Sequence, residues 1–155
     1  MEYGEALNSS DDLKGRDSVD LLARMIYAEA QGESFEGKCG VAFVAQNRKD
    51  HPKKAKEFGG TTWEAVLLSP NQFSVALKPN TKSQAWADCL DIAQNLSDKT
   101  NPIGSCLWFN ANDVYAKRSQ TVNGVEQYAF SKGKYKDVVE KCVIGGHTFF
   151  RIIEY

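Results

Sequence analysis

Residues 17–32 read DSVDLLARMIYAEAQG, a stretch in which apolar side chains recur at helical spacing. Leu21 and Met25 lie four residues apart on one face of the predicted helix, and the next member of that row is Glu29. A carboxylate that continues an apolar stripe is costly to bury unless it is paired or protonated. Burial raises the pKa of a carboxyl group, which can then donate a proton near neutral pH. Glu29 is therefore the leading candidate for a catalytic acid.

Glu29 also has a purely structural interpretation, in which it reaches solvent from the helix end or pairs with Arg24 or Arg48. Glu33 follows four residues later and is a candidate second carboxylate, although Gly32 interrupts the helix between them. Glycosidases that use two carboxyls keep them about 5 Å apart for retention and about 6.5–9.5 Å apart for inversion. Glu33 can equally place its negative charge at the N-terminus of a second helix, where such a charge is favoured.

The composition is that of an ordinary single globular domain. The chain has 155 residues, of which 42% are hydrophobic and 25% charged, and its net charge is −1. This balance indicates no attraction to nucleic acid or anionic membrane surfaces, and no stretch is long enough to span a membrane. The N-terminus lacks a basic segment followed by an apolar one, so no signal peptide is visible and localisation stays open. We expect a monomer.

The four cysteines do not indicate a metal site, because none of them form a C-x-x-C pair and only two histidines accompany them. Cys39 lies in an apolar run and is predicted to be a small core residue. A cysteine nucleophile would need a neighbouring histidine, which the sequence neither shows nor excludes. We expect no metal and no cofactor.

The N-terminal half is predicted to be helical. Residues 1–16 are expected to form a flexible tail, and residues 17–155 a single catalytic domain. Asp17 or Ser18 can cap the first helix, and Ser34 a second one that runs to about Lys49. Residues 53–60 are predicted to be an exposed loop, and Thr61 or Thr62 starts a short helix that Pro70 ends.

The C-terminal half changes in character. Residues 71–75 are expected to be extended or a loop, and Ser83 caps a fourth helix. Residues 107–109 favour a strand or ordered turn. Gly145 and Gly146 separate two β-prone runs and predict a C-terminal hairpin, although residues 137–144 could instead form a short helix. The predicted fold class is α+β, a mainly helical body with a small C-terminal β part.

Several blocks of the sequence resemble the SleB/CwlJ family of cell-wall hydrolases, the spore cortex-lytic enzymes. The longest block runs from Leu22 to Lys38, and the similarity extends over roughly residues 19–153. The other blocks are Val41-Ala42, Asn47-Arg48, Gln72-Phe73-Ser74, Leu107-Trp108-Phe109-Asn110 and Gly146-His147-Thr148-Phe149-Phe150.

The resemblance implies a lysozyme-like, lytic-transglycosylase-like domain that cuts peptidoglycan glycan strands, in the spore cortex or the cell wall. It places the family's single catalytic glutamate at Glu29, which would act as acid and then as base while a 1,6-anhydro ring closes on N-acetylmuramic acid. The expected substrate contacts are Gln72, Phe73, Ser74, Asn110 and Tyr27.

Two departures from the family pattern stand out. Gln31 occupies a position where relatives often carry arginine, and the absence of a visible signal peptide fits CwlJ-type or phage-borne members better than exported SleB-type members. Two rival functions remain at this point: an N-acetylmuramoyl-L-alanine amidase, with or without a cysteine nucleophile, and a non-catalytic peptidoglycan-binding protein. All three functions share peptidoglycan as the expected partner.

Overall fold

A computed structural model describes residues 2–155, which form five α-helices followed or interleaved by five β-strands. The helices are α1 (Ser18–Ala30), α2 (Phe35–Lys49), α3 (Trp63–Leu67), α4 (Gln84–Gln94) and α5 (Asn112–Arg118). The strands are β1 (Trp108–Ala111), β2 (Ser119–Val122), β3 (Val125–Ser131), β4 (Lys134–Ile144) and β5 (His147–Ile152). The predicted α+β class is confirmed.

Side-chain caps begin the helices where the sequence predicted them. Asp17 accepts a hydrogen bond from the Val19 amide at the start of α1. Ser34 caps α2, Thr62 caps α3, and Ser83 caps α4, each through its side-chain oxygen. Each cap satisfies a backbone N–H that has no partner within the helix.

The main hydrophobic core lies between the first four helices and one face of the sheet. Helix α2 is buried from Gly37 to Ala45, as its all-apolar middle predicted, and α1 buries Leu21, Met25 and Ile26 completely. Phe149 of β5 is also fully buried in this core. The helical body and the sheet therefore share one core, and the sheet's position depends on α2.

The strands form one antiparallel sheet in the order β1-β5-β4-β3-β2. Successive side chains of a strand point to opposite faces. In β1, Phe109 faces the main core, whereas Trp108 packs on a smaller aromatic cluster on the other face. That cluster is built on Tyr115, Tyr128, Phe150 and Ile152. The hairpin predicted at Gly145 and Gly146 is confirmed, and residues 137–144 are strand, not helix.

Two segments contain buried residues that the sequence pattern did not indicate. Within residues 2–16, Leu7 and Leu13 are buried and residues 10–13 form a 3₁₀ turn, whereas the predicted flexibility of residues 1–16 stays a prediction and Met1 lies outside the described residues. Residues 53–60 are not simply an exposed loop, since they contain a 3₁₀ turn that buries Ala55 and Phe58. In both segments isolated apolar residues, too few to give a periodic pattern, anchor the chain to the core.

Helix α5 and strands β2 and β3 extend the β part beyond the small element that was expected. They are short or half exposed, so their patterns carry little hydrophobic signal. Over residues 2–155, none of the helices combines the length and the apolar character that a membrane crossing requires.

The contact between α2 and β5 predicts the outcome of adding a side chain at Gly40. A Cβ there would lie 2.7 Å from Cζ of Phe149 and 3.2 Å from Cγ2 of Ile103. Because Phe149 is completely buried, we expect Gly40→Val to lower the free energy of unfolding by about 2–3 kcal/mol. Urea denaturation measures the change.

Gly32→Val is the matched control, since a Cβ at Gly32 meets no atom within 4 Å. We expect this variant to stay within about 0.5 kcal/mol of the wild type. Equal destabilisation of the two variants would contradict the proposed tight α2–β5 contact.

Candidate active site

Glu29 lies in the last turn of α1 and is half-buried, on the row that contains Leu21 and Met25. Burial disfavours the charged carboxylate and raises the pKa of Glu29. A hydrogen bond from the backbone of Ser74 and the positive charge of Arg48 oppose the shift without cancelling it. The helix thus presents a carboxyl group that holds its proton to higher pH than an exposed glutamate does.

Arg48 is the buried cation beside Glu29. It lies in the last turn of α2 with only 4% of its surface exposed. Its Nε donates to the carbonyl of Leu107 at 2.7 Å, and its Nη1 donates to Oε1 of Gln72 at 3.2 Å. Burial lowers the pKa of Arg48 to about 10, while the charge of Glu29 acts in the opposite direction. Arg48 therefore remains protonated at neutral pH.

Two aromatic rings enclose the guanidinium group of Arg48. Its Cζ lies 4.9 Å from the ring centroid of Phe58 and 4.7 Å from that of Phe73. Such cation–π contacts are strengthened where water is excluded. Next to Glu29, Arg48 therefore contacts three separate segments of the chain. They are the turn before α3 (Phe58), the segment after α3 (Phe73) and the residue just before β1 (Leu107).

The segment Gln72-Phe73-Ser74 is brought to Glu29, as its predicted role as a substrate contact requires. Asn71 precedes it with a φ of 62°, and the chain then runs back along α1, where the Ala76 amide donates to the Arg24 carbonyl at 3.1 Å. Gln72 and Ser74 are exposed, and Phe73 is half-buried. The Ser74 hydroxyl and the amide nitrogen of Gln72, whose Oε1 accepts from Arg48, are thus available to a ligand beside the carboxyl group.

Tyr27 and Asn110 are engaged elsewhere in the fold. Tyr27 lies two residues before Glu29, which is about 200° around the helix, and its hydroxyl accepts a hydrogen bond from the Asn80 amide at 3.3 Å. Asn110 donates to the hydroxyl of Tyr128, on the sheet face opposite to Phe109. As substrate contacts, both stay predictions.

Glu33 has a different hydrogen-bond partner from Glu29. Its carboxylate accepts a hydrogen bond from the backbone N–H of Gly146 at 2.9 Å, at the tip of the β4–β5 hairpin. The candidate second carboxylate is therefore occupied by main chain.

The sequence identified Arg48 only as one of two pairing partners for Glu29, and its central position was missed. The spacing of Arg48 could have revealed this position. Arg48 follows the buried residues Val41 and Ala45 on one face of α2, just as Glu29 follows Leu21 and Met25 on α1. The contribution of Phe58 carried no such signal.

Comparison with known proteins defines the class. The profile of the Cell Wall Hydrolase family matches residues 32–150, so its match begins three residues after Glu29. The chain belongs to the Cell Wall Hydrolase family. A comparison with curated proteins gives no match.

Two solved structures are similar in fold. One is the catalytic domain of the Bacillus cereus SleB protein, with 23% identity, a TM-score of 0.53, and coverage of 94% of this chain and 95% of that chain. The other is the catalytic domain of the germination-specific lytic transglycosylase SleB from Bacillus anthracis, with 21% identity, a TM-score of 0.56, and coverage of 89% and 98%. The lysozyme-like fold predicted from the resemblance fits these neighbours.

The raised pKa of Glu29 makes a prediction about stability. A carboxyl group whose pKa is raised on folding contributes stability at pH below its ordinary pKa and loses it as pH rises through the raised value. Glutamine at position 29 cannot ionise. We therefore expect the melting temperature of Glu29→Gln minus that of the wild type to be higher at pH 7 than at pH 4. Glu36→Gln, which removes an exposed carboxylate from the neighbouring turn, is the control. If this difference in melting temperature decreases as the pH rises from 4 to 7, the burial of the Glu29 carboxyl does not raise its pKa.

The charge of Arg48 predicts the direction of a pKa change. Because that charge lowers the pKa of Glu29, we expect Arg48→Gln to raise the pKa further, whereas Lys49→Gln, one residue along, should have a smaller effect. The Glu29 side-chain ¹³C carboxyl shift, followed by NMR through a pH titration, measures both. The Arg48 variant also loses its bond to the Leu107 carbonyl, so the titration is made well below its melting temperature. An unchanged or lower pKa would exclude Arg48 as the electrostatic partner.

Proposed function

We propose that this chain cleaves the glycan strands of peptidoglycan after N-acetylmuramic acid, acting as a monomer and using residues 17–155 as a single catalytic domain, onto which Leu7 and Leu13 of the preceding segment pack. The observation that carries the proposal is the half-buried Glu29 with its raised pKa, next to a buried arginine and an exposed polar segment. Membership of the Cell Wall Hydrolase family supports the choice of substrate.

Glu29 would supply both proton transfers. In the first step the protonated carboxyl group donates its proton to the glycosidic oxygen, the bond from C1 to that oxygen breaks, and the leaving sugar departs with a new hydroxyl group. In the second step the Glu29 carboxylate accepts the proton of the muramyl 6-hydroxyl as O6 bonds to C1. The product is a 1,6-anhydro ring, no water is consumed, and Glu29 ends protonated as it began.

The surroundings of Glu29 suit this double role. An acid must be protonated before the first step, which a raised pKa favours. After the transfer the carboxylate is negative, and the adjacent Arg48 stabilises that charge. The apolar surroundings of Glu29 thus favour its protonated form, and the guanidinium group of Arg48 favours its charged form.

The occupied Glu33 favours intramolecular attack over a two-carboxylate hydrolysis. A hydrolase of the inverting kind needs a second carboxylate free to activate water. Both oxygens of Glu33 instead lie against the main chain at Gly145 and Gly146, and Oε1 accepts from the Gly146 N–H. The Bacillus anthracis neighbour is described as a germination-specific lytic transglycosylase, which agrees with this reaction. The peptidoglycan would be that of the spore cortex or the cell wall.

We assign the substrate contacts by chemistry. The Gln72 amide and the Ser74 hydroxyl can pair with sugar hydroxyls beside Glu29, and the exposed side of the Phe73 ring can lie against a sugar face. Tyr27 and Asn110 would contact sugars of the glycan strand that lie farther from Glu29.

The amidase alternative is weaker where it depends on a cysteine. Burial raises the pKa of Cys39, and it raises the pKa of Cys89 and of Cys106 to about 12. Since the thiolate is the nucleophile, these three residues are poor candidates. A non-catalytic binding protein would have no use for the raised pKa of Glu29.

Digestion of purified peptidoglycan tests the proposal. We expect wild-type protein to release anhydromuropeptides and Glu29→Gln to lower the rate of release by about 10²- to 10⁴-fold, because glutamine cannot donate a carboxyl proton. Mass spectrometry of the products is the measurement, and circular dichroism verifies that the variant is folded.

Other products point to other reactions. Reducing sugar ends would indicate hydrolysis, free stem peptides an amidase, and binding to sacculi without release a non-catalytic protein. Glu36→Gln is the matched carboxylate control and should retain wild-type activity. Wild-type activity in a folded Glu29→Gln protein would refute the assignment of Glu29.

A further inference from the structure

Glu33 is held from three directions at the turn between α1 and α2. Its N–H donates to the Ala30 carbonyl at 2.9 Å, which continues the end of α1. Its carbonyl accepts from Nζ of Lys38 at 2.5 Å, and Lys38 is only 4% exposed. Its carboxylate accepts from the Gly146 N–H at 2.9 Å. The backbone of Glu33 is thus fixed to the helical body, while its side chain reaches the sheet.

The hairpin tip fits closely around this carboxylate. A Cβ on Gly145 would lie 2.8 Å from Oε1 of Glu33, and one on Gly146 would lie 3.0 Å from Oε2. Gly145 also has a φ of 55°, which favours glycine. Both oxygens of Glu33 therefore lie against the main chain of the tip, and a side chain at Gly145 or Gly146 would require the Glu33 carboxylate to shift.

Asn112 holds the same tip independently of Glu33. Its side-chain amide donates to the Gly145 carbonyl at 2.9 Å, and its backbone N–H donates to the Gly146 carbonyl at 3.0 Å. The contact from Asn112 lies within the β part, whereas the contact from Glu33 crosses from the helical body. Glu33 is therefore the polar link between the turn after Glu29 and the hairpin tip.

The next residue, His147, reports on this link. Its Nδ1 is buried and has no hydrogen-bond partner among residues 2–155, and its ring lies edge-on to Phe109 at 5.1 Å. Burial lowers the pKa of His147, and the negative charge of Glu33 opposes that shift. The titration of His147 is therefore sensitive to the Glu33 charge.

We propose that Glu33 is a positioning residue that sets the sheet against the helix carrying Glu29 and exchanges no proton with substrate. In this role Glu33 fixes the position of the sheet through the Gly145–Gly146 tip, and the chemistry belongs to Glu29. This inference rests on the function proposed above for Glu29.

Three variants test the inference. Glu33→Gln keeps an oxygen that can accept from Gly146, so we expect its rate of peptidoglycan release to stay within about threefold of wild type. Glu33→Ala removes the link, and we expect a loss of about 10- to 100-fold, as small misplacements of catalytic groups produce. Glu36→Ala removes an exposed carboxylate from the first turn of α2 and should behave as wild type. The pH–rate profile should be the same in wild type and Glu33→Gln.

Two measurements follow the link without using activity. Hydrogen exchange of the Gly146 amide should accelerate about tenfold or more in Glu33→Ala, but not in Glu33→Gln or Glu36→Ala. In Glu33→Gln the pKa of His147 should fall below its wild-type value, because the opposing charge is gone.

Several outcomes would overturn the proposal. A loss of activity in Glu33→Gln as large as that in Glu29→Gln, or an altered pH profile, would make Glu33 catalytic. Equal behaviour of Glu33→Ala and Glu36→Ala would leave it without a positioning role. If the wild type releases no fragments, the function proposed for Glu29 fails, and amide exchange alone decides on the link: acceleration confined to Glu33→Ala supports it, and unchanged exchange refutes it.

Discussion

The buried ion pair between Asp20 and Arg24 is the interaction on which the rest of the structure depends. Both side chains are completely buried in α1, and Nε of Arg24 donates to Oδ2 of Asp20 at 2.7 Å. Asp20 also accepts from Arg16 and from the Gly4 amide, and these contacts keep the pKa of Asp20 low although burial acts to raise it. Removing one member of such a pair leaves an uncompensated buried charge, which costs about 3–5 kcal/mol.

The remaining donors of Arg24 organise the chain around α1. They bind the carbonyls of Glu5, Ala76 and Leu77. The N-terminal segment is thereby fixed to the body, and the chain just after Ser74 is fixed beside the last turns of α1. Arg24 is engaged in this way, and the positive charge that acts on Glu29 is that of Arg48. The two arginines that the sequence offered as equivalent partners have different roles.

Much of the helical body and the unusual position of Glu29 in an apolar row could be predicted from sequence because their signals are local. Apolar spacing and cap residues lie within a few positions of each other, so they identify α1 and α2 and the anomaly at Glu29 within its row. The buried 3₁₀ turn at Phe58 and the packed N-terminal segment could not be predicted in this way. Their anchors, such as Leu7 and Leu13, are single residues whose partners lie far along the chain.

The sequence by itself determined that a carboxyl group ends a buried helical row, that the fold is α+β, and that the chain resembles cell-wall hydrolases. Those conclusions depend on composition, periodicity and order along the chain. Only the tertiary structure decided which arginine faces Glu29, that Ser74 contacts it, and that the Glu33 carboxylate binds the Gly146 amide. The physical reason is distance: Glu33 and Gly146 are 113 positions apart, and hydrogen bonds between such residues depend on how helices and sheet pack, which no local pattern encodes.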